Sequence, residues 1–208
     1  MTHPAQVAPL SGDHPQLQDP ALRDLVDFVG YRPNALLTMA KVPGLLNAVL
    51  DMVQATLRQP AELPVATRFL IACEASRAGG CYYSTVHAAH AAYHAGVPWE
   101  KLSALPQNAT SPHFDEAERA ALAIAAACGQ VPVGSSADGF DAARKSFSER
   151  QILEIVAAAS VFGWFNRWNG LIGSELESEP SQALQHVPWL ASLAAPAPEP
   201  RSRISQHD

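Results

Sequence analysis

Residues 81–90 read Cys-Tyr-Tyr-Ser-Thr-Val-His-Ala-Ala-His, a thiol, a hydroxyl and two imidazoles at helical spacing directly after Gly79-Gly80. If a helix opens near Cys81, its unsatisfied N–H groups favour negative charge there, so more of the thiol should ionise at neutral pH. Cys81 is therefore the candidate nucleophile. A dithiol of the Cys-x-x-Cys type needs a second cysteine three residues on, where this chain has Ser84.

At about 100° per residue, Cys81 and Ser84 are neighbours on such a helix, as are Ser84 and His87, and His87 and His90. Cys81 and His87 stand about 120° apart around an ideal helix, so a proton relay through Ser84 or a water fits better than direct thiol–imidazole contact. In that relay an imidazole takes or gives the proton, and Cys81 is either the nucleophile or a charged neighbour. The bland alternative is a buried thiol beside satisfied core histidines. His87, His90 and His94 lie at i, i+3 and i+7, but three ligands from one straight helix rarely converge, and no metal is expected. Tyr82 and Tyr83 read first as packing residues. Glu74 is either a proton acceptor buried near the thiol or a solvated helix carboxylate.

The elements that must position these groups read as helix after helix. Asp19-Pro20 supplies a cap and first-turn proline for Leu22, Leu25, Val26 and Val29, ended by Gly30. A second start lies at Asn34, Pro43-Gly44 interrupts, and Leu46, Val49, Leu50, Val53 and Leu57 resume one apolar stripe. Pro64 opens a helix ending near Gly79-Gly80, and the site helix follows to Gly96, its alanines allowing close packing. Pro98 starts a short helix, residues 114–128 form an alanine-rich one, and the capping box Ser148-x-x-Gln151 opens a long one to about Gly173. No stretch sustains a period of two. The expected fold class is all-α, a single-domain helical bundle over 19–193, with disordered segments at 1–18 and 194–208.

Composition limits the partners. The 208 residues are 48% hydrophobic and 16% charged with a net charge of −6, so no basic footprint for nucleic acid or anionic lipid is present. No apolar run approaches the roughly 18 residues of a membrane span, and the N-terminus lacks the pattern of a signal peptide. A soluble cytoplasmic protein is expected, binding small molecules or copies of itself. Three cysteines cannot all pair within the chain, and Cys73 and Cys128 sit in apolar surroundings that read as inert packing.

With these residues on the page, the chain from about Tyr31 to Glu177 resembles the carboxymuconolactone decarboxylase-like family, specifically its alkylhydroperoxidase-D-like, peroxidase-related branch. Residues 31–39, Tyr-Arg-Pro-Asn-Ala-Leu-Leu-Thr-Met, begin the match, and Gly80 to His90 looks like the branch's Gly-Cys-x-Tyr-Cys-x-x-His-x-x-His pattern. Phe147-Ser148 leading to 151–156, then Asn166-Arg167-Trp168-Asn169 and Glu175-Leu176-Glu177, looks like its C-terminal signature. The resemblance implies an alkylhydroperoxidase-D-like helical fold, a homo-oligomer, no cofactor, and thiol-dependent peroxide reduction at a site of Cys81, Ser84, His87 and His90, with Tyr83, Glu74, Asn166 and Arg167 in support. Two departures stand out. Ser84 replaces the second motif cysteine, and the glutamate that hydroperoxidases place twelve residues before the first cysteine falls at Phe69. The expected function is a peroxidase-like oxidoreductase in which Cys81 alone is oxidised and an external thiol resolves it. The alternatives are a non-redox lactone decarboxylase or isomerase using His87 with Ser84 or Tyr83, and a decayed small-molecule-binding oligomer.

Overall fold

The computed structural model describes residues 5–11 and 14–194, and among them it is helical with no strand. The helices are α1 (Pro20–Val29), α2 (Asn34–Met39), α3 (Leu45–Val53), α4 (Val65–Ala78), α5 (Tyr82–His94), α6 (Trp99–Ser103), α7 (Glu116–Gly129), α8 (Ala137–Ala143), α9 (Glu149–Ile172), α10 (Ser178–Ser181) and α11 (Ala183–His186). Their ends follow from local chemistry. Asp19 caps α1 through its side chain, and capping boxes open α7 at Asp115/Glu118 and α9 at Ser148/Gln151. Each such cap contributes about 1 kcal/mol by satisfying amides that the first turn leaves unpaired.

The centre of the bundle is α4, which packs on α5, α7 and α9. Arg68 through Ser76 are buried without a break, because a helix surrounded by three others has no solvent face. Gly129 at the end of α7 permits the closest approach: a Cβ there would stand 2.2 Å from the Ala75 carbonyl oxygen. Between α3 and α4 the chain makes a π-helical turn, Gln54–Arg58, whose Leu57 enters the core. The buried Arg68 guanidinium closes that turn, donating to the carbonyls of Thr56 and Gln59.

Two expectations are corrected. The segment expected to be disordered before residue 19 packs on the bundle where it is described: Gln6 N–H donates to Ile172, Leu10 N–H to Leu37, and Leu17 is buried in a short 3-10 turn. Aperiodic sequence hid this, because the strap is held by backbone bonds and single leucines rather than by a stripe. Residues 1–4 and 195–208, including nearly all of the expected C-terminal tail, lie outside the described residues. Cys73 is buried as expected, whereas Cys128 is only half-buried, its Sγ 3.7 Å from Ser160 Oγ. No helix among the described residues is long and apolar enough to cross a membrane.

Candidate active site

Gly80 takes a left-handed φ of 67°, which a side chain would resist, and so turns the chain from α4 into α5. The turn is tied by Cys81 N–H donating to Ser76, and it leaves Cys81 as the N-cap of α5. One helical turn on, Ser84 presents its hydroxyl to the thiol, with Cys81 Sγ 3.2 Å from Ser84 Oγ. Ser84 is held from the other side by Asn169 of α9, whose Nδ2 donates to Oγ at 3.1 Å while its Oδ1 accepts from Ser174. Both acceptor positions of the Ser84 hydroxyl are thus occupied while Cys81 is a thiol. The same hydroxyl can turn and donate to the sulfur, since a serine oxygen both accepts and donates.

A second polar group is built around His87. Its Nε2 lies 2.7 Å from Glu177 Oε2 and its Nδ1 lies 2.8 Å from the Tyr31 hydroxyl. Glu177, in the segment between α9 and α10, also accepts from the Tyr83 hydroxyl at 2.8 Å and from the Asn34 backbone N–H. Burial raises the Glu177 carboxyl, but the hydrogen bond and charge of His87, with the Asn34 and Tyr83 donors, outweigh it and hold the group below the usual carboxylate range. Tyr83 accepts in turn from Ala35 N–H. Its ring stacks on the His87 ring at 4.0 Å with 26° between the planes, so the imidazole is gripped on a face and at both nitrogens.

Between the two groups lies a cavity of about 80 Å³. A single water needs roughly 10–15 Å³ of such space, so the cavity takes several waters or one small ring. Phe69, Phe162, Phe165, Leu57 and other apolar side chains form most of its wall, and Tyr31, Tyr83, Ser84, His87 and Asn169 supply its polar side. Cys81 does not line it and lies one hydrogen bond behind Ser84.

The groups expected to form a relay are not joined end to end. Cys81 and Ser84 are joined, and Ser84 and His87 face the same cavity, but no hydrogen bond joins Ser84 to His87. His90 is turned away, its Nε2 3.2 Å from His94 Nε2 and its buried Nδ1 without a partner. Burial, then the neighbouring His94 and His87, push His90 down to about 4, so it is neutral at physiological pH. Glu74 is neither a solvated carboxylate nor a free acceptor: it is buried, with both oxygens bound by Arg77 one turn along α4. Arg167 is exposed and folds back on the Gly163 carbonyl, away from the cavity. Asn166 packs over Gly79, its Nδ2 2.8 Å from where a Cβ would stand, and does not reach the cavity either. Tyr31, Asn169 and Glu177 were not assigned roles from sequence, although all three fall inside the quoted motifs. Their place in those motifs was the available signal.

The carboxymuconolactone decarboxylase family profile matches residues 43–127. The crystal structure of the debrominase Bmp8 is 34% identical, with a TM-score of 0.80, covering 88% of this chain and 97% of that one. A cysteine-to-alanine variant of the same debrominase in complex with 2,3,4-tribromopyrrole gives 32%, 0.82, 90% and 100%. The alkylhydroperoxidase AhpD core of a peroxidase-related protein from Ralstonia eutropha JMP134 shares the fold at 21% identity and a TM-score of 0.71, over 86% of this chain and 95% of that one. No curated protein sequence matches. The chain therefore belongs to the carboxymuconolactone decarboxylase family and has the helical fold of the alkylhydroperoxidase-D-like proteins.

Proposed function

We propose that this protein is a thiol-dependent reductive enzyme that removes a halogen from a small aromatic ring, with Cys81 as its one redox centre. The observation that carries the reading is the cavity: an apolar, phenylalanine-lined space for a small ring, its polar side formed by Ser84 with the Cys81 thiol directly behind it. The likeness to a debrominase that holds 2,3,4-tribromopyrrole supports the same substrate class. In the reaction the Cys81 thiolate takes the halogen as X⁺. The electron pair of the carbon–halogen bond stays on the ring carbon, which then accepts a proton. An external thiol displaces halide from the sulfenyl halide to give a mixed disulfide, and a second thiol regenerates Cys81 and leaves as the disulfide.

Peroxide reduction is the second reading, favoured by Cys81 standing at a helix N-cap with a hydroxyl neighbour. There the thiol attacks the hydroperoxide, giving a sulfenic acid and an alcohol, and two external thiols reduce the sulfenic acid with release of water. The test incubates the protein with dithiothreitol and either a bromopyrrole or cumene hydroperoxide, following bromide release and alcohol formation. Bromide release that is lost in Cys81→Ala supports dehalogenation. Alcohol formation alone moves the protein to the peroxidase reading. Turnover that survives Cys81→Ala overturns both and favours the non-redox chemistry of His87.

A further inference from the structure

We propose that Tyr31 is the proton donor of this site, recharged through His87 and Glu177; the assignment rests on the reading that Cys81 leaves a substrate atom in need of a proton. Three hydroxyl-bearing side chains line the cavity, those of Tyr31, Tyr83 and Ser84. The Tyr83 hydroxyl is committed, donating to Glu177 and accepting from Ala35 N–H. Ser84 is tied between Cys81 and Asn169, and its hydrogen is the one that turns to the sulfur as negative charge develops there. Tyr31 has a single hydrogen-bond partner, His87 Nδ1.

The direction of the relay follows from the acceptor-only chemistry of a carboxylate. Glu177 Oε2 faces His87 Nε2, so Nε2 carries a hydrogen and Nδ1 is the nitrogen that changes state. With neutral His87, Nδ1 accepts from the Tyr31 O–H. With His87 protonated, Nδ1–H donates to the Tyr31 oxygen, and the phenol hydrogen is free to point into the cavity. From that state the phenol gives its proton to the ring carbon as the halogen leaves with sulfur, while the Nδ1 proton passes to the phenol oxygen. Tyr31 ends neutral, His87 ends neutral, Glu177 is unchanged, and no charge separates across the cavity. The His87 side chain retains 12% exposure, which lets solvent return its proton between turnovers.

Packing keeps the donor in place. The Tyr31 ring is buried and meets His87 edge-on at 5.3 Å and His90 edge-on at 5.5 Å. The groups that face it are His87, His90 and Tyr83 on α5, and Glu177 and Glu179 after α9. Burial first, then the two carboxylates, push its phenol well above the usual value, so Tyr31 stays protonated across the working pH range and suits a strongly basic acceptor such as a ring carbanion.

The test compares wild type, Cys81→Ala and Tyr31→Phe with a bromopyrrole and dithiothreitol. A second Tyr31 variant carries 3,5-difluorotyrosine at that position alone. Tyr31→Phe should lower kcat about 100-fold while KM changes less than about threefold, as expected for loss of a general acid. The difluorotyrosine enzyme, which keeps the ring's shape, should lose activity at a lower pH on the alkaline side than wild type. A Tyr31→Phe kcat within threefold of wild type, or an alkaline limb that difluorotyrosine does not move, overturns the assignment while Cys81 chemistry stands. An inactive wild type, or an active Cys81→Ala, overturns the functional reading and the assignment with it.

Discussion

Two carboxylates in this bundle, the buried Glu74 and the half-buried Glu177, are paired in opposite ways. Glu74 and Arg77 lie three residues apart on α4 and close on each other through two hydrogen bonds of 2.7 Å. Glu177 reaches His87 across 90 residues of chain and collects Tyr83 and the Asn34 amide as well. Burial wins at Glu74 and raises its carboxyl, whereas at Glu177 three separate donors outweigh burial and lower it. The number of donors, and not burial alone, separates the two. Function follows the same division: the local pair satisfies itself inside the core, while the long-range one holds an imidazole at the wall of a cavity.

The comparison breaks most severely at α4. Arg77→Met should leave Glu74 buried with no cation and destabilise the protein by about 3–5 kcal/mol, since removing one member of a buried pair strands the other. Urea unfolding measures this, and activity per folded molecule should not change. A loss below about 1 kcal/mol would mean that water reaches Glu74. At the other carboxylate the expected effects are reversed. Glu177→Gln should cost only about 1–1.5 kcal/mol of stability, because Tyr83 and Asn34 can still donate to an amide oxygen. It should nevertheless lower kcat about 100-fold, because His87 loses the acceptor that fixes its tautomer. Equal losses of stability at Glu74 and Glu177 would erase the distinction drawn between them.

An effect that appears only on acidification sharpens the boundary between site and core at His90. Its folded value of about 4 lies below the ordinary 6.5, so the unfolded chain takes up a proton over that interval which the folded chain refuses. Stability is therefore undiminished above about pH 6.5 and falls as pH drops toward 4, by about 2–3 kcal/mol. His90→Phe should flatten that part of a urea midpoint-versus-pH curve. An unchanged slope would show that Glu177, which also loses its interactions on protonation, carries the acid sensitivity.

The helices were legible in the sequence because their information is local. The caps at Asp19 and Ser148, the break at Pro43-Gly44 and the turn at Gly79-Gly80 each act within a few residues, and the observed elements end where they predict. The short α8, α10 and α11 have too few turns for a stripe to show. Cys81, Ser84 and His87 could be placed on one helix by spacing alone. Their partners could not: Tyr31 comes 56 residues before His87, Asn169 85 residues after Ser84 and Glu177 90 residues after His87. Such pairings depend on how α1, α5 and α9 meet, which no period records. Phe69 marks the same limit: it lines the cavity, while the carboxylate on His87 comes from Glu177, far along the chain.

Oxidation mapped by mass spectrometry tests the central role of Cys81 most directly. The protein is exposed without reductant to one equivalent of a bromopyrrole or, separately, of cumene hydroperoxide, then treated with dimedone to trap sulfenyl species. Burial holds the Cys73 thiol far above its usual range, and Cys128 sits beside Ser160, with no hydrogen bond to Ser84 or any cavity residue. The account predicts a dimedone adduct confined to Cys81. An adduct at Cys128 with Cys81 intact, or no adduct on any cysteine with either oxidant, would contradict it.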